Sequence, residues 1–560
     1  MTSSISETVS KELDHLEEDA PGKQSLTRVV FASAAGTTFE WYDFFLFVPL
    51  ATIISRTFFA GLNDTAAYVF ALLSFAAGFA FRPFGALLFG RVGDIVGRKA
   101  TFLITISLMG VATFAVGLLP TYAQIGVASP IMFICLRLLQ GLALGGEWGG
   151  ASIYVAEHAP VERRGLLASW LGASAAMGLG GALIVTLLTR LAMGEETFNA
   201  WGWRVPFLLS AVLVAFSIWI RLKLKESPAF AKLRAKGGLT TAPYREAFAE
   251  PESLKRVVIA LMAIMIAQGA IWYLTFFYAQ FFIEKIIKVS PQAVNGLMLV
   301  IVAISAPLYL FFGWLSDRIG RKPVMLAGMI LVLITLFPGF HLITRFANPA
   351  LSSATESAAV VVTADPAACS VQFDPVGKAQ FTSSCDIAKT VLTNGGVPYS
   401  NVAAPAGTLA SVNVGTVTVQ SIEGGALAGD ELKAARAKVE REIKQALTAA
   451  GYPDRAEAPN MVGVFFVMMV FVVGACALYG PQPAALVEFF PIRTRYTALS
   501  LPYHIGTGWV GGFLPAASYA MVAATGDIYF GLWYAEIMIA IAILSTIVFL
   551  PEMRGRDLSL

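Results

Sequence analysis

The chain has 560 residues, of which 56% are hydrophobic and only 14% charged. A soluble domain carries about 25% charged residues, and here the apolar residues gather in runs of roughly twenty, long enough to cross a bilayer. That excludes a soluble globular protein, and a net charge of +3 offers no case for nucleic acid as a partner.

Residues 1–27, with "ETVSKELDHLEEDA", are polar and acidic. They lack the basic start and short apolar core of a cleaved signal peptide and read as a disordered tail. Twelve spans follow, near 28–55, 65–90, 100–119, 130–157, 164–192, 202–222, 257–284, 292–314, 323–346, 460–488, 496–522 and 528–550. This spacing predicts an all-α polytopic membrane protein in two six-helix halves. The first half is 28–222 and a linker covers 223–256. The second half is 257–346 and 460–550, interrupted by a small insertion at 347–459 and followed by a tail at 551–560.

An even number of spans puts both termini on one side. The connections there hold Arg91, Arg98, Lys99, Arg163, Arg164, Arg318, Arg321, Lys322, Arg493 and Arg495. The linker "RLKLKESPAFAKLRAKGG" and tail residues Arg554 and Arg556 add to them. The opposite loops hold few, such as Arg56, Arg190 and Lys288. By the positive-inside rule the rich side is cytoplasmic. The expectation is a multi-pass protein of the cell (inner) membrane, with both termini cytoplasmic and the insertion periplasmic or extracellular.

The halves echo each other. "GRVGDIVGRKA" (90–100) matches "GWLSDRIGRKP" (313–323) at an offset of 223, and "EHAPVERRGLLAS" (157–169) matches "EFFPIRTRYTALS" (488–500) at an offset of 331. The difference, 108 residues, is the insertion. Two duplicated six-helix halves are a recurring transporter plan, with the substrate site between them near the midplane. The front of the insertion reads as short strands in "SAAVVVTAD", "CSVQF" and "TLASVNVGTVTVQ". Its back, "GDELKAARAKVEREIKQALTAAGYP", reads as an amphipathic helix with Leu432, Val439, Ile443 and Leu447 on one face, Asp430 able to cap it and Gly451 ending it. Cys135 and Cys476 lie in apolar spans as packing residues. Cys369 and Cys385 either pair in an oxidising compartment or stand as two thiols.

The two loops "GRVGDIVGRK" and "GWLSDRIGRK" resemble the signature of the major facilitator superfamily: Gly, two or three residues, Asp, then Gly-Arg-Lys. "RLLQGLALGG" in span 4 resembles that family's Arg-x-x-x-Gly element. "FEWYDFFLF" in span 1, "GGEWGGASIYVAEHAP" in span 4 and "GWRVPFLLS" opening span 6 narrow the likeness to the metabolite:proton symporter family. That family includes carriers for proline and betaine, α-ketoglutarate, citrate and shikimate. The resemblance covers the spans and not the insertion. It implies loops that hold the cytoplasmic side shut in one state. Physically, Asp94 and Asp317 sit at helix ends, where they can accept backbone N–H groups or pair with Arg98 and Arg321. Lys99, Lys322, Glu157 and Glu488, with Arg163, Arg164, Arg493 and Arg495, are expected to join this gate.

In span 1, Ser33, Gly36, Thr37, Glu40 and Asp43 recur at three- and four-residue steps and make one polar stripe. At about 1.5 Å per residue, Glu40 and Asp43 lie roughly 18–22 Å along the helix. Intramembrane carboxylates are expensive and mark proton or ion pathways, or else are held by a neighbouring Arg or helix end. Asp43 and then Glu40 are the expected proton carriers, with Glu147 third. In span 4, Gln140 and Glu147 share a face and Arg137 lies close to it, while Gly141, Gly145 and Gly149 wind along the adjacent face and permit close helix packing. Arg137 is expected either to bind a substrate carboxylate or to hold Glu147, Glu40 or Asp43. Arg82, before Pro83, either lines the site or belongs to the gate, with the gate favoured. Tyr42, Gln140, Gln268, Tyr503 and His504 are further candidates for the substrate site; His504 is equally a packing residue, and Trp272 and Tyr273 either line the cavity or pack.

The expected function is secondary active import of a small organic acid or zwitterion by proton symport through alternating access. Protons are the coupling ion, with no other cofactor and no metal. The expected partners are that solute, protons and the lipid bilayer, and the expected state is a monomer. Span 5, "LGASAAMGLGGALI", has glycines without the Gly-Pro element of many exporters, which leans towards import. The alternatives are a facilitator or proton-coupled exporter of the same fold, and a nutrient sensor that uses the insertion. No nucleotide loop, metal cluster or nucleophile–base pair supports an enzyme.

Overall fold

A computed structural model describes residues 26–60, 64–222, 226–370, 381–427 and 429–558. The expected tail therefore lies outside the described residues, apart from its last two. So do Lys223 and Lys225 of the linker and most of the expected strand "CSVQF".

Among the described residues, nine helices are long and apolar enough to cross a membrane. They are Arg98–Leu118, Ala128–His158, Val161–Met193, Arg204–Leu222, Pro251–Ile286, Pro291–Ile319, Arg321–Ala347, Met461–Phe489 and Leu532–Phe549. They fall on expected spans 3 to 10 and 12. Span 1 is helical in two pieces, Leu26–Phe45 and Phe47–Phe58; span 2 is Asp64–Ile95; span 11 is Arg495–His504, Ile505–Gly511 and Gly512–Thr525.

Close packing follows from glycine. A Cβ on Gly141 would overlap the Gly78 carbonyl, and one on Gly145 would overlap that of Arg82, so spans 2 and 4 touch backbone to backbone. With few bulky residues between them, such helices gain dispersion contact that lipid cannot replace. In the second half, span 7 contains π-helical turns at Leu261–Met265, Leu274–Tyr278 and Phe282–Ile286, and span 11 contains one at Ile505–Gly511. A Cβ on Gly269 of span 7 would overlap the Gly506 carbonyl of span 11, so these two irregular helices also meet at backbone distance. Such widened turns occur mostly at functional sites.

The linker is more ordered than a basic connection implies. Pro228–Ala235 is a helix capped by Ser227, and span 7 already begins at Pro251. Phe230 of this helix is fully buried beneath the Arg98 guanidinium, 4.5 Å from its ring centre.

The insertion is a small α+β unit. Strands β1 (Val360–Ala364), β2 (Ser400–Ala403), β3 (Ser411–Val414) and β4 (Val417–Gln420) form a sheet in the order β2-β1-β3-β4. β1 and β2 are parallel, whereas β3 pairs antiparallel with both β1 and β4. A parallel pair needs a crossover, and the helix Ser384–Gly395 supplies it. That helix lies between the stretches that read as strand, and neither it nor β2 was expected. The amphipathic helix is Gly429–Ala449, burying Leu432, Val439, Ile443 and Leu447. Asp430 lies inside its first turn, 3.3 Å from Lys433, and does not cap it. Cys369 and Cys385 form a disulfide joining the segment after β1 to the start of the crossover helix.

The insertion sits on two connections of the second half. Between spans 7 and 8, Lys288 donates to the Asn394 carbonyl (2.5 Å) and accepts from the Ala456 amide, and the Ile287 carbonyl accepts from Asn348. Between spans 11 and 12, the Gly526 carbonyl accepts from the Tyr399 amide, Thr525 from Asn401, and Ala523 from the Tyr399 hydroxyl.

Candidate functional site

Three groups of buried polar residues stand out. The first closes the end of the molecule that carries the basic loops. Asp94 accepts from Arg98 (3.1 Å) and from the Tyr496 and Thr497 amides that open span 11 (3.2 and 2.9 Å). Asp317 accepts from Arg321 (2.6 Å) and from the Gly165 and Leu166 amides that open span 5 (2.8 Å each). Each loop of one half thus holds the start of a helix in the other, as a carboxylate at free N–H groups should. Glu157 pairs with Arg495 (2.8 Å) and lies 3.9 Å from Arg98; Glu488 pairs with Arg164 (2.8 Å) and Arg321 (3.1 Å).

Two residues of this network were missed in the sequence. Glu226 accepts from the Arg98 and Lys99 amides, and Glu552 from the Arg321 and Lys322 amides, so each caps the span after its signature loop. Lys99 and Lys322 donate to the last carbonyls of spans 6 and 12, at Leu222 (2.9 Å) and Leu550 (2.8 Å). "KESP" after span 6 and "PEMR" after span 12 were the available signal: an acid within a few residues of the end of each half.

The second group lies inside the first half. The span 1 stripe is buried: Ser33, Thr37, Glu40 and Asp43 are at most 2% exposed. Asp43 accepts from Ser210 of span 6 (2.5 Å) and faces Arg137 without an ion pair. Arg137 instead donates to Gln140 (2.8 Å), which donates to Thr113 of span 3 (2.8 Å), and its guanidinium lies over Phe47 and Phe133. Arg137 and Gln140, expected at the substrate, therefore hold each other within the first half. Helical angles place two residues on one face; they do not say which neighbour that face meets. Tyr42 likewise turns inward, donating to the Pro206 carbonyl (2.9 Å).

Glu147 is paired with Arg221 of span 6 (2.5 Å) and accepts from Thr105 (2.7 Å). Arg221 had been counted with the basic linker, yet it is 1% exposed and reaches span 1, where a Cβ on Gly36 would overlap its guanidinium. Glu40, 2% exposed with Oε1 unpartnered, has Glu147, Arg221, Arg82 and Asp43 as its charged neighbours.

The third group lines the seam between the halves. Trp148 of span 4 stacks on Tyr503 of span 11 with centroids 3.5 Å apart, and Tyr503 shares a hydrogen bond with Tyr479 (3.2 Å). Trp41 and Phe45 of span 1 face Trp272 of span 7 at 6.3 and 6.2 Å, and Trp272 donates to Tyr309 (3.0 Å). Phe79 of span 2 meets Tyr273 at 5.4 Å. Gln268 and His504 are buried here, the Gln268 Oε1 without a partner and the His504 ring facing the Gly145 backbone. Arg82 belongs to this seam and not, as expected, to the charged gate: its guanidinium lies 4.2 Å from the Phe79 ring centre and 4.5 Å from that of Phe44. The reason is position. Arg82 is about three helical turns before Asp94 in the same helix, roughly 18 Å from it.

Comparison with known proteins agrees with this architecture. Residues 29–242 match the family model "Sugar (and other) transporter" and residues 150–368 match "MFS/sugar transport protein". The chain is 34% identical over 329 residues to the proline/betaine transporter of Salmonella typhimurium, an alignment covering 57% of this chain and 65% of that one. The chain thus spans somewhat under two thirds of the length of the first curated relatives it matches. It is 34% identical over 345 residues to the inner membrane metabolite transport protein YhjE of Escherichia coli (60% of this chain, 77% of that one). With the E. coli shikimate transporter it shares 32% over 319 residues (56% and 72%). The solved structure of the proton:xylose symporter XylE superposes over 95% of this chain and 98% of that one, with a TM-score of 0.61 and 16% identity, which is a likeness of fold. Duplicated halves, paired signature loops and these relatives together mean that the chain belongs to the major facilitator superfamily of membrane transporters.

Proposed function

We propose that the chain imports a small organic acid or zwitterionic metabolite by proton symport, with its two halves rocking about the seam. The observation that carries this reading is Asp43. It is 1% exposed and hydrogen-bonded to a hydroxyl, and it has no ion-pair partner among the described residues. A hydroxyl serves either form of a carboxyl, donating to the carboxylate and accepting from the acid. Proton exchange at Asp43 therefore leaves no orphaned partner, whereas protonating Glu147 would strand Arg221. Glu40, a neighbour of the Glu147–Arg221 pair and of Arg82, is the second candidate to carry the proton.

Relatives named for proline, betaine and shikimate support a carboxylate-bearing solute, and the many aromatic rings at the seam suit a cationic or flat apolar remainder. The basic end is assigned to the cytoplasm by the positive-inside rule. The insertion with its disulfide then faces the oxidising side, and the chain works as a monomer in the inner membrane.

Proteoliposome uptake under an imposed pH gradient tests the reading. Asp43→Asn is expected to lose gradient-driven accumulation, by about a hundredfold, while retaining exchange of solute across the membrane. Accumulation unchanged in both Asp43→Asn and Glu40→Gln would sink the coupling assignment.

A further inference from the structure

Seven arginines are buried among the described residues: Arg82, Arg98, Arg137, Arg164, Arg221, Arg321 and Arg495. Arg98, Arg164, Arg221, Arg321 and Arg495 each have a carboxylate within ion-pair distance, and Arg137 has the Gln140 carbonyl oxygen. Arg82 has neither. It is 0% exposed, and none of its three guanidinium nitrogens meets a hydrogen-bond partner at ordinary distance and angle. It rests on the ring faces of Phe79, Phe44 and Trp41, and the polar groups that face it are the hydroxyls of Tyr273, Tyr479 and Tyr503, the His504 ring and the carboxyl of Glu40, the Tyr273 hydroxyl coming nearest to a hydrogen bond.

We propose that Arg82 is the anchor for the substrate's carboxylate, at the seam between the two halves. It rests on the proposed uptake of a carboxylate-bearing solute, and it moves the anchor from span 4 to span 2. A guanidinium presents paired N–H donors that match a carboxylate's two oxygens. Those donors here meet no carboxylate or carbonyl oxygen, and the site excludes water, so an arriving carboxylate forms bonds that the empty protein lacks. Aromatic faces hold the guanidinium plane in place without consuming the in-plane donors. The position suits alternating access: Arg82 belongs to the first half, while Tyr273 and Tyr503 belong to the second, so a solute held on Arg82 touches both. It also ties binding to coupling. Glu40 faces both Arg82 and the Glu147–Arg221 pair, so the charge on the anchor and the protonation of the span 1 acids are felt by each other.

The test pairs uptake with unfolding. Uptake of radiolabelled proline, glycine betaine and shikimate is measured in proteoliposomes for the wild type, Arg82→Met and Arg82→Lys. The ligand-free proteins are unfolded by heat beside Arg221→Met. Arg82→Met is expected to lower uptake of whichever probe the wild type carries by about 10- to 100-fold, with Arg82→Lys between. It is also expected to raise the Tm of the empty protein by about 2 °C or more, because an unpaired guanidinium is removed, whereas Arg221→Met lowers it. Wild-type uptake by Arg82→Met overturns the proposal. So does a Tm lowered as far as that of Arg221→Met, or a variant too unstable to purify, since either means that the empty protein already satisfies Arg82. The unfolding result decides alone if none of the three probes is carried. Failure of the symport reading looks different: uptake would ignore the pH gradient yet still require Arg82. The probe preference separates a zwitterion (proline, betaine) from an anion (shikimate).

Discussion

Arg221 ends span 6, and its guanidinium turns back towards Glu147 and the bare backbone at Gly36. A buried ion pair adds little against an apolar pair of the same volume, but a lone survivor is strongly destabilising, by about 3–5 kcal/mol. Arg221→Leu is therefore expected to lower unfolding stability in detergent by about that amount, and Glu147→Leu combined with Arg221→Leu to recover most of it. Equal losses in the single and double variants would mean that the two side chains do not depend on each other. The acid was legible in the sequence because a Glu inside an apolar run announces itself. The base was not, because "IRLKLKES" is a charge run at a helix end, and hydropathy cannot tell an arginine reaching out to headgroups from one folding inward. The signal lay in span 6 itself. Ser210, Ser217 and Arg221 fall on one buried helical stripe, which also held the partner of Asp43. Arg82 is ambiguous in the sequence for a related reason: its neighbourhood is shared with a gate loop, and only its surroundings separate site from gate.

At the scale of loops and helices, the duplicated signature was plain in the sequence because its residues act within one short connection. The targets of those loops, the amides that open spans 5 and 11, lie far away in the chain and carry no sequence mark. Glu488 occupies the centre of one gate cluster, between Arg164 of the first half and Arg321 of the second. Glu488→Gln removes the charge that both arginines share and leaves the shape. It is expected to shift the protein towards opening at the basic end by about 1.4 kcal/mol, a tenfold change in population. A cysteine at Ser500, fully buried beside Gly149 at the seam, with Cys135 and Cys476 replaced by serine, would report it. Its rate of reaction with an impermeant maleimide from the basic side should rise about tenfold in Glu488→Gln. An unchanged rate would mean that the cluster does not hold this end shut. The crossover helix of the insertion was less legible than the gate. "SSCDIAKTVLTNG" is short and follows β-rich sequence, so local pattern favoured strand, and the parallel pairing of β1 with β2 that demands a helix is a long-range fact.

For the whole molecule, the question is how an α+β unit of this size can be inserted in a chain whose halves move in the proposed cycle. Its contacts give the answer. The insertion begins where span 9 ends and finishes where span 10 starts, and it is bonded to the 7–8 and 11–12 connections, all of which belong to the second half. The fit is close: Tyr399 lies where a Cβ on Gly526 would fall, and Lys288 is held at φ +65°, a conformation that a side-chain-bearing residue adopts at some expense. Such a dock favours a body that travels with the second half, so the insertion leaves the rocking motion unobstructed and can be long without being disruptive. Spin labels test this in full-length protein with Cys135 and Cys476 replaced by serine. A pair at Glu440 of the insertion and Asp527 of the second half should give one distance distribution whether or not a pH gradient or a transported solute is present. A pair at Glu440 and Gln124, in the connection between spans 3 and 4 of the first half, should shift by several ångströms between the same conditions, as rigid-body rocking of one half against the other requires. If the 440–527 distance moves as far as the 440–124 distance, the insertion is a mobile lobe of its own. The sensor alternative would then regain its footing, because a lobe that moves independently could report a bound ligand without transport.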